Sequence, residues 1–190
     1  TSGTSAALEH IMPDQIERIE VVRGNVSAIY GTGAMGGVIQ IFTKQGSGKP
    51  SAHVFAEYGS HATPRFGAGL SGQSDGTRFA LSAVRLKTQG FSAMDPGKNP
   101  LVNPDDDGDR DVTVNAALSH RFSPNHELGA RLYLYDAKYD YDGSNGPEED
   151  NTGKARQWTG AVYSKTRLTA DWLSTVTFSQ PDIKRRYSTE

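Results

Sequence analysis

The sequence predicts a mostly β protein whose strands are laid out like those of a transmembrane barrel, and three observations predict it. Apolar residues alternate with polar ones over long stretches: Val112, Val114, Ala116, Leu118 and Phe122 interleave with Thr113, Asn115, Ser119 and Arg121. That period of two puts one set on each face of a sheet. The connections alternate as well, tight turns on one side and long polar loops on the other, a parity that bacterial barrels keep and a soluble sandwich has no reason to keep. Finally, 35% of the residues are hydrophobic, with 21 Gly and 8 Tyr among the 190. No window approaches the ~20 apolar residues of a spanning helix. In a barrel only alternate residues meet lipid, so a low mean is expected.

Residues 1–50 form a compact mixed unit. Ile16-Glu17-Arg18-Ile19-Glu20-Val21-Val22-Arg23 is a β-branched strand stopped by Gly24, Val26–Tyr30 makes about one helical turn, and Gly37–Lys44 is a second strand. Gln45-Gly46-Ser47-Gly48-Lys49-Pro50 has linker composition. From Ser51 the pattern predicts seven strands, over 51–58, 65–71, 78–88, 112–122, 128–135, 156–168 and 172–179. Ser74-Asp75-Gly76-Thr77, Ser123-Pro124-Asn125-His126 and Thr169-Ala170-Asp171 are the tight turns, whereas 91–110 and 142–155 are long and rich in Gly, Pro and Asp. Trp158 and Trp172 flank the last turn and suit an aromatic girdle.

Composition also excludes. Twenty basic against 22 acidic residues give a net charge of −2, so no nucleic-acid partner is expected. The absence of Cys removes thiol catalysis, disulfides and Cys-based zinc sites. Gly31-Thr32-Gly33-Ala34-Met35-Gly36 matches the dinucleotide fingerprint by letter, but a strand follows it where the fingerprint needs a helix. The five histidines are scattered and no Gly-x-Ser-x-Gly elbow accompanies them. The chain is expected not to be an enzyme.

Two acidic loops carry the most informative chemistry. Asn103–Asp111 places five Asp in seven positions, 105, 106, 107, 109 and 111. Alternate oxygens followed by Gly108 suit a hard cation, though the twelfth position of an EF-hand would fall on Val114, so an EF-hand is rejected. Each like-charge pair costs on the order of 1 kcal/mol at 4 Å in water, so the loop either stays open or is drawn together by a cation. Asp136, Asp140, Asp142, Glu148, Glu149 and Asp150 form a second cluster that strand parity puts on the same side.

The stretch Ile16–Gly24, then Ser27-Ala28-Ile29-Tyr30-Gly31, then Gly36-Gly37-Val38-Ile39-Gln40-Ile41 resembles the end of the plug domain of TonB-dependent outer-membrane receptors. Asn25 stands where that family usually has proline. Glu57-Tyr58-Gly59-Ser60 and Gly90-Phe91 resemble the family's first barrel strands. Within the family the likeness is greatest to the vitamin B12 (cobalamin) transporter group, through Asp105–Gly108, Ala117–His120 and Tyr141-Asp142.

The resemblance implies that 1–50 is the C-terminal part of a plug and 51–190 the N-terminal strands of a barrel of about 22 strands, incomplete in this chain. It implies active uptake of a scarce metal complex, cobalamin or a ferric siderophore, across the bacterial outer membrane. The partners would be the TonB energy-coupling complex, whose coupling box is expected outside this chain, the small metal-complex ligand and outer-membrane lipid. It further implies calcium as cofactor, held by Asp105, Asp107, Asp142 and Asp150, with Ser92 where that group has a carboxylate, and Tyr141 touching substrate. Arg18, Glu20 and Arg23 would pair with charges on the barrel wall and hold the plug. The alternative is a soluble β-sandwich adhesion or scaffold module using 103–111 as a calcium loop.

Overall fold

Two antiparallel sheets follow one another along the chain. The computed structural model describes residues 11–92, 94, 95, 97–143, 146 and 149–189. A 3-10 turn at Pro13–Gln15 leads into β1 (Ile16–Arg23), and after the one-turn α1 (Ser27–Tyr30) the chain returns as β2 (Gly37–Thr43), paired antiparallel to β1. Asn25 makes the turn: its Oδ1 accepts the Ser27 N–H at 3.0 Å, an Asx device that starts the helical turn without proline. Gly31, at φ +87°, ends it.

The second sheet has seven strands in sequential order: β3 (Ser51–Gly59), β4 (Thr63–Ser74), β5 (Thr77–Thr88), β6 (Asp109–Ser123), β7 (His126–Tyr141), β8 (Asn151–Arg167) and β9 (Leu173–Thr189). Asp75 and Gly76 both have positive φ, 47° and 77°, which is the tight hairpin an Asp-Gly pair favours. The seven strands match the expected number, but β7, β8 and β9 run longer. β9 continues from Ser179 to Thr189 and β7 from Tyr135 to Tyr141. Along those extensions both faces carry polar residues, so alternation fades while the backbone ladder continues.

The seven-stranded sheet is inside out relative to a soluble protein. On the face that holds the β1–β2 hairpin, Thr113 is 0% and Asn115 2% exposed, and Asp111, Ser119 and Glu127 are buried too. On the opposite face Leu118 is 56% and Val162 55% exposed, with Val54, Phe66, Leu70, Leu81 and Phe178 also in the open. Burying an aliphatic side chain is worth roughly 1.5–3 kcal/mol, and this sheet leaves that face uncovered along every strand. Val112 to Phe122 on β6 spans about 33 Å of strand, or ~25 Å of membrane normal at a tilt of ~40°. These residues fit lipid. The sandwich alternative is corrected here: the strand order is a single open sheet, with no second sheet packed on the aliphatic face among the described residues. Trp158 is not beside the last turn but pairs across from Leu134, near the far edge of the apolar band, while Trp172 lies at the turn.

On the polar face, aromatic rings cover glycines on the neighbouring strand. A Cβ at Gly67, Gly129 or Gly153 would meet the Phe55, Tyr163 or Tyr139 ring at 2.3–2.4 Å, and each ring belongs to the residue directly opposite. These glycines are needed for space, because the rings lie flat along the concave wall.

The hairpin is tied to the wall through residues the sequence reading passed over. Arg65 on β4 bridges Asp14, just before β1, and Glu57 on β3 at 2.6 Å, and its guanidinium lies 4.7 Å over the Phe55 ring. Asn115 donates to the Lys44 carbonyl at 3.4 Å. Among the described residues, which hold seven strands of the wall, Arg18 and Glu20 pair with each other. Arg18 donates to Glu20 on its own strand at 2.7 Å and sits 3.8 Å over the Phe42 ring. Both side chains are about half exposed. An i, i+2 spacing on a strand puts the two on one face, within reach of each other. Arg23 enters no ion pair among the described residues. Arg65→Ala is therefore expected to loosen the hairpin by about 1–2 kcal/mol, read as a roughly tenfold rise in amide exchange over 16–43 with β5–β8 unchanged.

Candidate metal centre

The ladder itself brings the acidic loops together. Thr88 at the end of β5 pairs with Asp109 at the start of β6, and Asp109 pairs with Tyr139 near the end of β7. Asp107, two residues before β6, and Asp142, one residue after β7, are thereby brought to neighbouring strand ends. The backbone continues the register: Asp140 N–H donates to the Gly108 carbonyl at 2.8 Å.

Asp105, Asp107 and Asp142 each offer one carboxylate oxygen, and these three atoms lie within 4.8 Å of one another. At that separation each pair repels by about 1 kcal/mol in water and more with partial burial. The spacing is that of oxygens across a calcium shell, whose diameter is about 4.6–5.2 Å at Ca–O distances of 2.3–2.6 Å. Asp142 shows the imbalance most directly. Its Oδ2 accepts the Ser92 hydroxyl at 3.1 Å and the Met94 N–H at 2.9 Å, while its Oδ1 is buried without a hydrogen-bond partner. An unsatisfied buried carboxylate oxygen is costly, and a cation would satisfy it. The residues present fit calcium.

Ser92, which replaces a carboxylate of the resembled group, therefore holds Asp142 in orientation. Of the four expected ligands the structure brings three together. Asp150 is exposed and stands outside the cluster, and Glu148 lies outside the described residues. Glu149, instead, lays its carboxylate over Gly143, where a Cβ would meet Oε2 at 2.3 Å, and its carbonyl accepts from Asn103 Nδ2 at 3.5 Å, joining the two loops.

Tyr141 is half buried on the polar face. Its ring meets Tyr187 edge-on at 6.2 Å and Tyr139 at 6.1 Å. The sequence reading named Tyr141 alone, yet the wall presents a tyrosine ladder that also includes Tyr133 and Tyr135. Odd numbering along β7 was the signal that could have found it.

Comparisons with known proteins agree on one family. Residues 1–38 match the model of the TonB-dependent receptor plug domain. Over 142 residues, which cover 75% of this chain and 23% of the relative, the sequence is 33% identical to the vitamin B12 transporter BtuB of Photobacterium profundum. The fold is similar to the ferric enterobactin receptor PfeA of Pseudomonas aeruginosa, with a TM-score of 0.74 at 20% identity over 92% of this chain and 28% of that one. Another structure of that receptor gives 0.57 at 18% identity, over 92% of this chain and 33% of that one. At such identities the structural likeness shows the fold. The chain spans between 23% and 33% of the length of these proteins.

Proposed function

We propose, for a chain that carries the plug sequence and barrel-wall fold of the TonB-dependent receptors, that it serves active uptake of a scarce metal complex, cobalamin or a ferric siderophore, across the bacterial outer membrane. The observation that carries this reading is the inside-out sheet, with its aliphatic face bare and its polar face holding the hairpin. In this reading 1–50 belongs to the plug and 51–190 to the wall, and the TonB energy-coupling complex pulls on the plug. Calcium supplies the positive charge that lets Asp105, Asp107 and Asp142 converge. Their convergence orders the outer loops beside Tyr141, which then presents its ring to the ligand. No bond in the ligand is made or broken by these residues.

The test uses the protein in the full length its gene encodes, purified in detergent. Raising calcium from chelated to tenfold above a Kd of ~10⁻⁴ M stabilises by about 1.4 kcal/mol, a rise of about 1 °C in Tm for a protein of that length, and tightens cyanocobalamin binding. Asp142→Asn, which keeps the shape and the Ser92 contact but removes the charge, is expected to weaken calcium at least tenfold. No calcium shift in the parent protein overturns the metal centre. Tight binding of a ferric siderophore with none of cyanocobalamin moves the ligand to the second class.

A further inference from the structure

A pocket on the polar face, where the chain leaves β2 and crosses to the wall, gathers cations that no acid balances. It encloses about 640 Å³ near the tight-turn end of the sheet, and Lys44, Arg78, Arg131 and Lys165 line it. That volume lies in the range of small-molecule sites. The ladder explains why the wall cations converge. Arg78 stands opposite Ser119 and Lys165 opposite Glu127, both buried on the polar face. Arg131 stands opposite Ala117, on the same face two residues from Ser119. The segment after β2 closes one side. Gly46, at φ +83°, runs so near β5 that a Cβ there would collide with the Phe79 carbonyl.

The acids within reach are already engaged. Glu127 accepts Arg78 at 2.8 and 2.9 Å, Glu20 accepts Arg18 at 2.7 Å, and Glu17 lies 3.5 Å from Arg18. Lys44, Arg131 and Lys165 enter no ion pair among the described residues. Arg131 and Lys165 sit instead against one ring, 4.8 and 5.2 Å from the centre of Tyr163. Arg131 Nε is buried without a hydrogen-bond acceptor. A buried donor left without its bond is costly, and more so on a charged group. Three unbalanced cations around one cavity also repel one another. An anion with several charges would relieve both, and the hydroxyls of Ser47 and Ser71 on the same lining can donate to its oxygens.

We propose that this pocket binds a small polyanion of the phosphate class, a diphosphate or a molecule that bears one, with Lys44, Arg131 and Lys165 on its oxygens. Arginine and lysine both bind phosphate oxygens through charge-assisted hydrogen bonds. Bound there, the anion joins the end of β2 to β7 and β8, and so holds the hairpin on the wall. The site lies at the opposite end of the strands from Asp105, Asp107 and Asp142, and it does not depend on what the protein takes up.

The experiment takes the full-length protein in detergent with calcium chelated throughout, so that pyrophosphate cannot act by removing calcium. Inorganic pyrophosphate, or sodium chloride at equal ionic strength, is added, and Tm, calorimetric binding and amide exchange over 37–46 are read. Pyrophosphate is expected to bind one per protein, raise Tm and slow that exchange about tenfold, with sodium chloride doing neither. Lys44→Gln and Lys165→Gln are each expected to weaken pyrophosphate about tenfold. Lys44 is exposed, so its variant keeps the fold even if the Lys165 variant does not. Lys98→Gln, in the loop beyond the other end of the strands, is expected to change nothing. No binding by the parent protein, parent-like binding by the Lys44 variant, or a Tm rise matched by sodium chloride would each overturn the assignment. Binding that leaves exchange over 37–46 unchanged puts the anion elsewhere and overturns it as well.

Discussion

Removing the Glu127 carboxylate is expected to cost about 3–5 kcal/mol, measured as denaturant unfolding of the refolded protein in detergent or vesicles. Glu127 opens β7 on the polar face, with its side chain 10% exposed. Both of its oxygens take Arg78 Nη2, at 2.8 and 2.9 Å, and Tyr163 donates to Oε1 at 3.3 Å. Arg121 stands 4.0 Å away. Glu127→Ala leaves the Arg78 guanidinium, 28% exposed, without its anion, and leaves the Tyr163 hydroxyl without that acceptor. The ring of Tyr163 cannot swing aside freely, because it already lies over Gly129. Glu127→Gln keeps an acceptor but no charge, so about 1–2 kcal/mol is expected. Combining Glu127→Ala with Arg78→Ala should cost clearly less than the two single changes added, since the second removes the stranded charge. A loss below 1 kcal/mol for Glu127→Ala would show that the cluster is solvated and contributes nothing to the wall.

What the sequence exposed, and what it hid, follows from which contacts leave a periodic trace. Alternation such as Leu128, Ala130, Leu132, Leu134 is written by lipid on one face and the wet interior on the other, and those stretches were legible. Beyond Tyr135 the same strand continues through Asp136 and Lys138 on one face and Ala137 and Tyr139 on the other. Its outward side chains there are polar and not aliphatic, so its upper half looked like loop although its hydrogen-bond ladder is unbroken. The plug hairpin was legible because its strands are short, β-branched and closed by glycines. Strand parity fixed the side on which each acidic loop lies; that Asp105, Asp107 and Asp142 are among the residues that meet was implied by the family resemblance. The exclusion of Asp150 was not legible, because the places of Glu149 and Asp150 depend on contacts such as Glu149 over Gly143 that no period encodes. Asp14 with Arg65 was hidden for a related reason: the pair joins residues far apart in sequence.

Gly90→Ala is expected to disable the acidic centre without touching a carboxylate. Gly90 follows β5 with φ +71°, a conformation L side chains avoid, and its N–H is held by the Thr88 hydroxyl at 3.0 Å. A Cβ there would stand 1.8 Å from the Asp107 carbonyl oxygen and 2.7 Å from its carbon. Neither obstacle is the free end of a side chain, so the 103–108 segment must lift away as a unit. Asp107 then leaves the group in which three oxygens sit within 4.8 Å, and calcium affinity is expected to fall at least tenfold, as for Asp142→Asn. The strands below should keep their stability, because the displacement begins beyond the last β5–β6 pair, Thr88 with Asp109. Gly146→Ala is the control: it lies in the neighbouring loop, and nothing stands within 4 Å of its Cβ. Calcium titrations that are indistinguishable for the two variants would mean that Asp107 is not positioned by its contact with Gly90, and that the convergence of the loops has another cause.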